Sequence, residues 1–419
     1  MRLRRMAAVP SAPRPIAGFD GSATPMIPPL NILTLATLFP NSAAPNFGVF
    51  VARQTAALAA RDGVRVTVIN PIGLPPFPLS PHPRYRDLRM LKRQDRWDGL
   101  TVHRPRFTLL PGLPDRNPAA IARAALPLVR RLHAERPFDL IDAEFFYPDG
   151  PAARLIAAEL GLPYTVKARG ADVHYWGTRK GSGAAVRMAA RDAAGMLAVC
   201  GALKDDMAAL GMEADRIAVH YTGCDQARFR PVDSSALRRQ LGLEGPVIAT
   251  VGALIARKRQ DLVIAALADL PGVTLLLIGK GEREATFRDL AQGSGVANRV
   301  RFVGAVAHDD LPQWLSCVDV LVSPSDSEGL ANAWVEALAC GTPVVISEAG
   351  GARELVTSDA AGRVVPQDHA AIAGAVRDIL AMQPARADVR AAVERFSWAR
   401  NGQELEAFFR RTLDGYRPR

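Results

Sequence analysis

The 419-residue sequence has little cysteine, no long apolar run and no pattern of an export leader, and each absence excludes a class of protein. It has only four cysteines, widely spaced and without a CxxC pair: Cys200, Cys224, Cys317 and Cys340. This spacing excludes zinc knuckles and thioredoxin-type redox sites, and the low density excludes a disulfide framework. No apolar run reaches the roughly 18 residues that a membrane-spanning helix needs. We therefore expect reduced cysteines and a cytoplasmic protein.

The first 28 residues are rich in proline, alanine and arginine. The chain opens Met1-Arg-Leu-Arg-Arg, which is similar to the charged start of a secretory signal. Pro10 interrupts it before an apolar region of roughly 7–15 residues can form. We predict that residues 1–28 form a mobile tail, with Met26 as an alternative start of translation.

Positive charge is concentrated in the first half of the chain. The formal net charge is +10, but residues 1–230 hold 31 basic against 19 acidic side chains, whereas residues 231–419 hold 21 against 23. Residues 84–106 alone carry eight basic and three acidic side chains. Such a surface favours an anionic membrane or an anionic acceptor, unless it is only a solvated basic face. Nucleic acid is not an expected partner, because the pattern indicates neither a reading helix nor a stacking sheet.

Short apolar runs alternate with segments of helical periodicity, a rhythm typical of parallel sheets covered by helices. The rhythm begins at residues 31–37, stops in a loop-like stretch at residues 222–235 and then resumes. We therefore predict an α/β fold with two doubly wound, Rossmann-like domains that face a cleft. The predicted parts are a first domain at 29–225, a second domain at 226–396, and a helix at 397–419 that packs back on the first domain. Ligands of such sheets bind beyond the carboxyl ends of the strands, so functional residues are expected in the strand-to-helix turns.

The segment from Ser323 to Val345 carries two glutamates, Glu328 and Glu336, separated by seven residues. Glu328 lies in the predicted loop after a strand, and Glu336 lies in the helix that follows. The N-terminus of that helix offers free N–H groups and a positive dipole, which suit a phosphate. Carboxylates accept hydrogen bonds from sugar hydroxyls, so the segment favours recognition of a phosphorylated sugar.

Basic side chains follow another predicted strand, at residues 247–252, which ends in Gly252. The three consecutive cations after it are Arg257, Lys258 and Arg259. At a strand-to-helix turn they would reach the cleft and neutralise a diphosphate. Gly279-Lys-Gly281 forms a third turn at the same edge, which is weaker than a full dinucleotide fingerprint.

The stretch from Glu328 to Glu336 resembles the E-x7-E signature of the family 4 retaining glycosyltransferases, which have the GT-B fold. The resemblance continues through Gly350-Gly-Ala-Arg-Glu354 and covers residues 31–413 in all. Three motifs of the first half are similar to a subgroup that builds bacterial cell-surface polysaccharides, such as teichuronic acids. They are Pro45-Asn-Phe-Gly-Val-Phe-Val51, Tyr147-Pro-Asp-Gly150 and Arg169-Gly-Ala-Asp172.

The resemblance implies a role for each matching residue of the second domain. Glu328 would hold hydroxyls of the donor hexose, and Glu336 would hold the ribose of a nucleotide diphosphate. Lys258 would neutralise the leaving diphosphate, and Arg257 would supply the charge that many members carry at the position of Ala253. The N–H groups that would meet hexose or phosphate belong to Gly329, Leu330 and Ala331. The donor-binding set is completed by Gly252, Gly279 and Gly281.

In the first domain the resemblance points to an acceptor side formed by Gly48 and His174. Gly48 would allow donor and acceptor to approach closely. Where many members have histidine, this chain has Arg169, which is grouped with Asp172 among the expected catalytic residues. An arginine cannot act as a base near neutral pH, so Arg169 would stabilise the leaving diphosphate or orient Asp172.

The combined expectation is a retaining hexosyltransferase that moves a sugar from a nucleotide-diphosphate sugar to a saccharide or lipid-linked acceptor of a cell-surface polysaccharide. No cofactor and no metal are expected, because an Asp-x-Asp motif is absent and Lys and Arg would carry the charge neutralisation. Peripheral contact with the inner face of the membrane would use residues 84–106. Two alternatives remain: a nucleotide-sugar 2-epimerase of the same architecture, which needs no acceptor, and a non-catalytic nucleotide-sugar-binding protein.

Overall fold

The computed structural model describes residues 28–417 and contains two large sheets of mainly parallel strands. Met26 and the predicted tail, apart from Pro28, lie outside the described residues. The strands of the first half are β1 (Leu30–Leu35), β2 (Val64–Ile69), β3 (Ile72–Leu74), β4 (Gln94–Trp97), β5 (Leu100–His103), β6 (Arg106–Thr108), β7 (Leu140–Ala143), β8 (Tyr164–Ala168), β9 (Gly195–Ala198) and β10 (Ile217–Val219). Those of the second half are β11 (Val247–Val251), β12 (Thr274–Ile278), β13 (Val300–Gly304), β14 (Val320–Ser323), β15 (Val344–Ser347) and β16 (Gly362–Val365).

Helices cover both sheets, as the alternating pattern of the sequence predicts. In the first half they are α1 (Val49–Ala59), α2 (Pro83–Met90), α3 (Asn117–Glu135), α4 (Asp149–Leu160), α5 (Lys180–Asp192) and α6 (Gly201–Ala209). The others are α7 (Ser235–Gln240), α8 (Gln260–Ala266), α9 (Glu284–Gly293), α10 (Leu311–Cys317), α11 (Asn332–Ala339), α12 (Ala352–Leu355), α13 (His369–Met382), α14 (Arg386–Ala391) and α15 (Trp398–Gly415). The predicted α/β class with two doubly wound, Rossmann-like halves is confirmed.

The strand order of each sheet reverses once, and this reversal determines where a ligand can bind. The first sheet has the order β10-β9-β8-β7-β1-β2-β5-β4 and the second has the order β13-β12-β11-β14-β15-β16. Both are parallel throughout except for β4, which is antiparallel to β5. The reversals fall between β7 and β1 and between β11 and β14. Crevices for ligands open beyond the carboxyl ends of the strands at such points.

The central strands are buried because helices cover both faces of the sheet. Every residue of β7, β8, β14 and β15 is buried, and their sequences are correspondingly rich in apolar and small residues. The segment at residues 70–139 departs from this simple rhythm and adds β3 to β6, α2 and α3. Pro127 lies inside α3, where proline normally argues against a continuous helix, whereas Pro118 lies in the first turn, where proline is tolerated.

The chain crosses between the halves twice, and α15 returns to the first half. The two crossing segments lie side by side, because the Cys224 N–H donates to the carbonyl of Phe396 at 2.6 Å. The apolar face of α15 joins a core cluster with β1 and α1. Gly402 permits this close packing, since a Cβ there would lie 2.6 Å from the carbonyl oxygen of Ala57. Within residues 28–417, no helix is both long and apolar enough to cross a membrane.

Candidate active site

Turns at the carboxyl ends of the two sheets touch each other. Arg169 and Gly170 follow β8, and Glu328 and Gly329 follow β14. Gly170 has a φ of +124°, and a Cβ there would lie 3.2 Å from the Gly329 nitrogen. A Cβ on Gly329 would lie 2.6 Å from the carbonyl oxygen of Arg169. The two backbones come this close because both turns carry glycine, and they bring the expected residues of both halves to one place.

Lys258 and Glu328 form an ion pair at this place. Lys258 Nζ donates to Glu328 Oε1 at 2.5 Å, and the side chains are only 18% and 10% exposed. Arg257 Nη1 lies 3.3 Å from the same oxygen but is 45% exposed. Two cations share one carboxylate, so the cluster keeps a positive charge that suits a diphosphate.

The third cation of this turn points elsewhere. Arg259 has left-handed backbone with a φ of 49°. Its Nη2 lies 3.2 Å from Asp261, and its Nη1 lies 3.3 Å from Asp326. Arg259 is therefore held by other acids, whereas its neighbour Lys258 contacts Glu328.

The glycines of the three turns serve backbone packing. Gly252 has a φ of +142°, and a Cβ there would meet Lys258 Cε at 3.6 Å. A Cβ on Gly279 would collide with the Gly252 carbonyl, and one on Gly281 would collide with the Leu254 carbonyl. Because these expected donor-binding glycines have no side chain, the neighbouring turns can pack against each other.

Glu336 lies on α11 and belongs to a chain of three side chains that joins the two halves. Its Oε1 lies 2.8 Å from His308 Nε2, and Arg53 Nη2 of α1 lies 3.3 Å from His308 Nδ1. Because a guanidinium can only donate, His308 Nδ1 accepts and Nε2 carries the hydrogen given to Glu336. A ribose that binds Glu336 would have to compete with His308.

Arg169 is held by hydrogen bonds to Glu144, the residue that follows β7. Its Nε donates to the Glu144 carbonyl at 2.8 Å, and its Nη2 donates to the Glu144 carboxylate. The guanidinium also lies 4.9 Å from the centre of the Phe50 ring. These contacts hold the cation from several sides.

Asp172 is fully buried beneath the turn that carries Arg169, and its expected catalytic role stays a prediction. Its carboxylate accepts hydrogen bonds from the N–H groups of Phe146 at 2.9 Å, Arg169 at 3.0 Å and Gly170 at 2.8 Å. Burial raises the pKa of Asp172, and these backbone hydrogen bonds oppose the rise. The Asp172 carboxylate therefore shapes the turn that carries Arg169.

The two acceptor-side residues lie at different points of the cleft wall. His174 links the halves, with Nδ1 3.0 Å from Ser327 Oγ and Nε2 2.8 Å from Asp206. Gly48 precedes α1 with a φ of +69°, and a Cβ there would lie 2.5 Å from the carbonyl carbon of Leu38. Glycine at this position is thus required by the neighbouring backbone.

The loop from Glu328 to Ala331 is packed from behind. Leu330 is buried, and no side chain caps the first turn of α11 after Ala331. The Gly351 N–H donates to the Gly329 carbonyl at 2.8 Å, and Gly350, with a φ of +52°, leaves room for the same loop. The uncapped N–H groups of α11 remain for a ligand.

Glu354 of α12 makes another contact between the halves that sequence analysis did not assign. Its carboxylate accepts from the N–H groups of Gly201 at 2.8 Å and Ala202 at 3.3 Å, at the N-terminus of α6. The Tyr221 hydroxyl donates to it at 2.7 Å. The sequence contains the motif that ends in Glu354, but it does not reveal the partners of Glu354, which lie more than 100 positions away.

Among residues 28–417, no group of three or more His, Cys, Asp or Glu side chains has the arrangement of a metal site. The four cysteines are buried and free. Metal independence stays a prediction.

Two protein-family models match the chain. The "Glycosyl transferase 4-like domain" matches residues 47–223, and "Glycosyl transferases group 1" matches residues 233–396. Together the two matches cover most of the chain, and they support a glycosyltransferase of family 4. The two matched segments correspond to the two sheets and together include every residue of the candidate site.

Curated relatives are similar over part of their length. A D-inositol 3-phosphate glycosyltransferase of Mycobacteroides abscessus is 35% identical over 213 residues, which cover 48% of each chain. A GDP-mannose-dependent monoacylated alpha-(1-6)-phosphatidylinositol monomannoside mannosyltransferase of Corynebacterium glutamicum is 38% identical over 34% of this chain and 41% of its own. The chain thus spans about half the length, or less, of the curated relatives it matches.

Solved structures show the same fold. Sucrose-phosphate synthase of Thermosynechococcus elongatus superposes with a TM-score of 0.76 at 22% identity, over 92% of this chain and 100% of its own. HepE of Anabaena in complex with UDP superposes with a TM-score of 0.71 at 22% identity, over 91% and 100%. The GT-B expectation is confirmed.

Proposed function

We propose that this protein is a retaining glycosyltransferase that moves a hexose from a nucleotide-diphosphate sugar to an anionic, lipid-linked acceptor of a cell-surface glycan. The observation that carries the proposal is the Lys258–Glu328 pair, 2.5 Å apart, with Arg257 beside it at the edge where both sheets meet. Glu328 offers acceptors for sugar hydroxyls, and the two cations offset the charge of a diphosphate. These cations make charge neutralisation by a metal ion unnecessary.

In the transfer step the acceptor oxygen bonds to the anomeric carbon while the bond from that carbon to the diphosphate breaks. The acceptor gives its proton to an oxygen of the departing phosphate. Lys258, Arg257 and Arg169 stabilise the charge that grows on the diphosphate, and Glu336 holds the ribose after His308 has moved aside. Because no enzyme carboxylate forms a bond to the sugar, the site differs from that of a retaining hydrolase.

The donor base is open between guanosine, uridine and adenosine. The mannosyltransferase relatives are named for GDP-mannose, and HepE binds UDP in its solved complex. A panel of nucleotides therefore belongs in the first experiment.

The acceptor side is supported by charge and exposure in the first half. Among the relatives, one acts on an inositol phosphate and another on a phosphatidylinositol mannoside, and both acceptors are anionic. Phe77 and Met90 are 82% and 80% exposed next to the basic α2. Apolar side chains among basic ones suit an anionic membrane surface, which would deliver a lipid-linked acceptor to the cleft.

The first experiment is a thermal unfolding assay with UDP, GDP, ADP and their sugars. A nucleotide at 100 times its dissociation constant should stabilise the protein by about 2.7 kcal/mol. The stabilisation should disappear in Glu336→Ala and persist in the matched Glu348→Ala, because Glu348 is exposed and pairs with Arg353. If no nucleotide stabilises the protein, the donor site is not functional.

The second experiment follows the nucleotide sugar that stabilises the protein. Release of free nucleotide that accelerates with a phosphatidylinositol or polyprenyl-phosphate saccharide supports transfer. Conversion of the donor to an isomeric nucleotide sugar without acceptor would instead identify an epimerase. Binding without any conversion would identify a non-catalytic protein.

Membrane contact is tested by co-sedimentation with vesicles of phosphatidylserine and phosphatidylcholine. Each basic group near an anionic surface contributes up to about 1 kcal/mol. Changing Arg86, Lys92 and Arg93 to Ser should therefore weaken binding by up to about 100-fold. The matched control changes three exposed basic residues of the second half, Arg239, Arg283 and Arg377, to Ser. Equal binding by both triple variants would exclude the proposed surface.

A further inference from the structure

A buried chain of hydrogen bonds runs from α15 to Arg169 beneath the cleft. His220 Nε2 lies 2.9 Å from the carbonyl oxygen of Asn401, and His220 Nδ1 lies 2.7 Å from Lys167 Nζ. Lys167 Nζ also donates to Gln54 Oε1 at 2.6 Å. The Gln54 amide donates to one oxygen of Glu144, whose other oxygen accepts from Arg169. All the side chains that link α15 to Arg169 are buried.

The donors and acceptors of this chain can be arranged in one direction only. A backbone carbonyl only accepts, so His220 Nε2 carries a hydrogen and Nδ1 accepts. Burial and the nearby Lys167 lower the pKa of His220 well below its usual range, which keeps the ring neutral. Lys167 therefore donates to His220 and to Gln54, and the amide nitrogen of Gln54 must face Glu144.

Glu144 consequently receives a donor on each of its two oxygens. A carboxylate can accept on both, whereas an amide accepts on one side and donates on the other. Glutamine at this position would direct a donor at either Gln54 or Arg169. The chain therefore requires a carboxylate at residue 144.

We propose that Glu144 is the positioning residue for Arg169, and that it fixes the guanidinium in the orientation the transfer step uses. The proposal rests on the proposed function. The contacts with Glu144 use Nε and Nη2 of Arg169, and the Phe50 ring lies 4.9 Å from the guanidinium carbon. Nη1 is left to meet the leaving diphosphate. Glu144 itself acts only through Arg169.

The test compares Glu144→Gln with Asp142→Asn in wild-type background. Asp142 is a second buried acid on β7, bonded to Thr165 at 3.0 Å. Burial and the nearby Glu144 raise the pKa of Asp142 well above its usual range, and asparagine keeps an oxygen that can accept from Thr165. The assay measures nucleotide release from the nucleotide sugar that stabilises the wild-type protein.

We expect Glu144→Gln to lower kcat by about 10- to 100-fold, because a displaced guanidinium no longer meets the diphosphate. The KM for the donor should change by less than about threefold, and Asp142→Asn should keep the wild-type kcat. The double variant Glu144→Gln/Arg169→Gln should be no slower than Arg169→Gln alone, since one residue acts through the other. A wild-type kcat in Glu144→Gln, or losses that multiply in the double variant, would overturn the proposal.

Two further arms separate the possible failures. If Glu144→Gln does not fold, Glu144→Asp draws the carboxylate back by one methylene group, and an unchanged kcat in that variant would overturn the proposal. If the wild-type protein releases no nucleotide from any donor, the proposed function fails. A crystal structure of Glu144→Gln then decides the positioning role: the Arg169 guanidinium should leave the Phe50 ring, and an unmoved guanidinium would refute it.

Discussion

Replacing Lys167 with methionine should change how the stability of the protein depends on pH. Lys167 lies in β8 and is fully buried. Burial, with the nearby Arg169, lowers the pKa of Lys167 to about 7. In the unfolded chain the same lysine has its usual pKa near 10.4.

The sign of the effect follows from which state holds the proton. From about pH 7 to pH 10 the unfolded chain keeps a proton on Lys167 that the folded chain has released. The free energy of unfolding therefore rises with pH across this window, and the full penalty of the buried charge applies below pH 7. One pKa unit is worth about 1.36 kcal/mol, so the rise between pH 7 and pH 8.5 should be about 1–2 kcal/mol.

The measurement is urea unfolding of the wild-type protein and of Lys167→Met at several pH values between 7 and 8.5. Other titrating groups are common to both proteins. The free energy of unfolding of the wild-type protein minus that of the variant therefore reports the titration of Lys167. The matched control is Lys92→Met, which removes an exposed lysine and should leave that difference constant.

A constant difference for Lys167→Met would refute the argument, because it would mean that folding does not lower the pKa of Lys167. A pH-independent offset between the two proteins does not affect the test, since only the slope carries the titration.

Three other changes have clear expected outcomes. Lys258→Ala should slow nucleotide release by about 100-fold, whereas Arg259→Ala in the same turn should leave it nearly unchanged, as kcat measurements would show. Glu354→Gln keeps only one acceptor oxygen for the N–H groups at Gly201, so the free energy of unfolding, measured with urea, should fall by about 1–3 kcal/mol. An unchanged urea midpoint would mean that this contact does not stabilise the fold. Gly350→Ala places a Cβ against a carbonyl of the opposite loop at positive φ, so nucleotide-dependent thermal stabilisation should be lost.

Residues that act within one short segment could be recognised from the sequence. Glu328 and Glu336 are separated by seven residues, and Lys258 follows a strand that ends in glycine. A turn and the first turns of a helix bring such neighbours to one place with little help from the rest of the fold. The contact between Lys258 and Glu328 is not local, because 70 positions separate them, and it depends on β11 pairing with β14.

Partners that come from distant segments could not be recognised. Arg53 and His308 lie 255 positions apart, and Glu354 caps a helix 153 positions earlier. Glu144 has no local pattern, because its role depends on β8 lying next to β7. The periodicity of the sequence does not predict contacts between such distant segments.

The direction of a side chain was the other missing information. Asp172 has the residue type and the neighbours of a catalytic acid, but its carboxylate turns back to the amides of its own loop. Gly279 and Gly281 have the spacing of a phosphate loop, but each also makes room for an adjacent turn. Residue type and spacing alone do not distinguish a ligand contact from a backbone contact.

The return of α15 to the first half sets an order of events during synthesis. Ribosomes make the chain from its N-terminus, yet Arg61 near the start pairs with Glu406, 345 positions later. The first half must therefore wait, with one face of β1 and α1 uncovered, until α15 emerges, and such long-range closure is slow. The Asn401 carbonyl, at the far end of the hydrogen-bond chain to Arg169, belongs to α15, so a nascent chain lacks this complete chain of hydrogen bonds until α15 has docked.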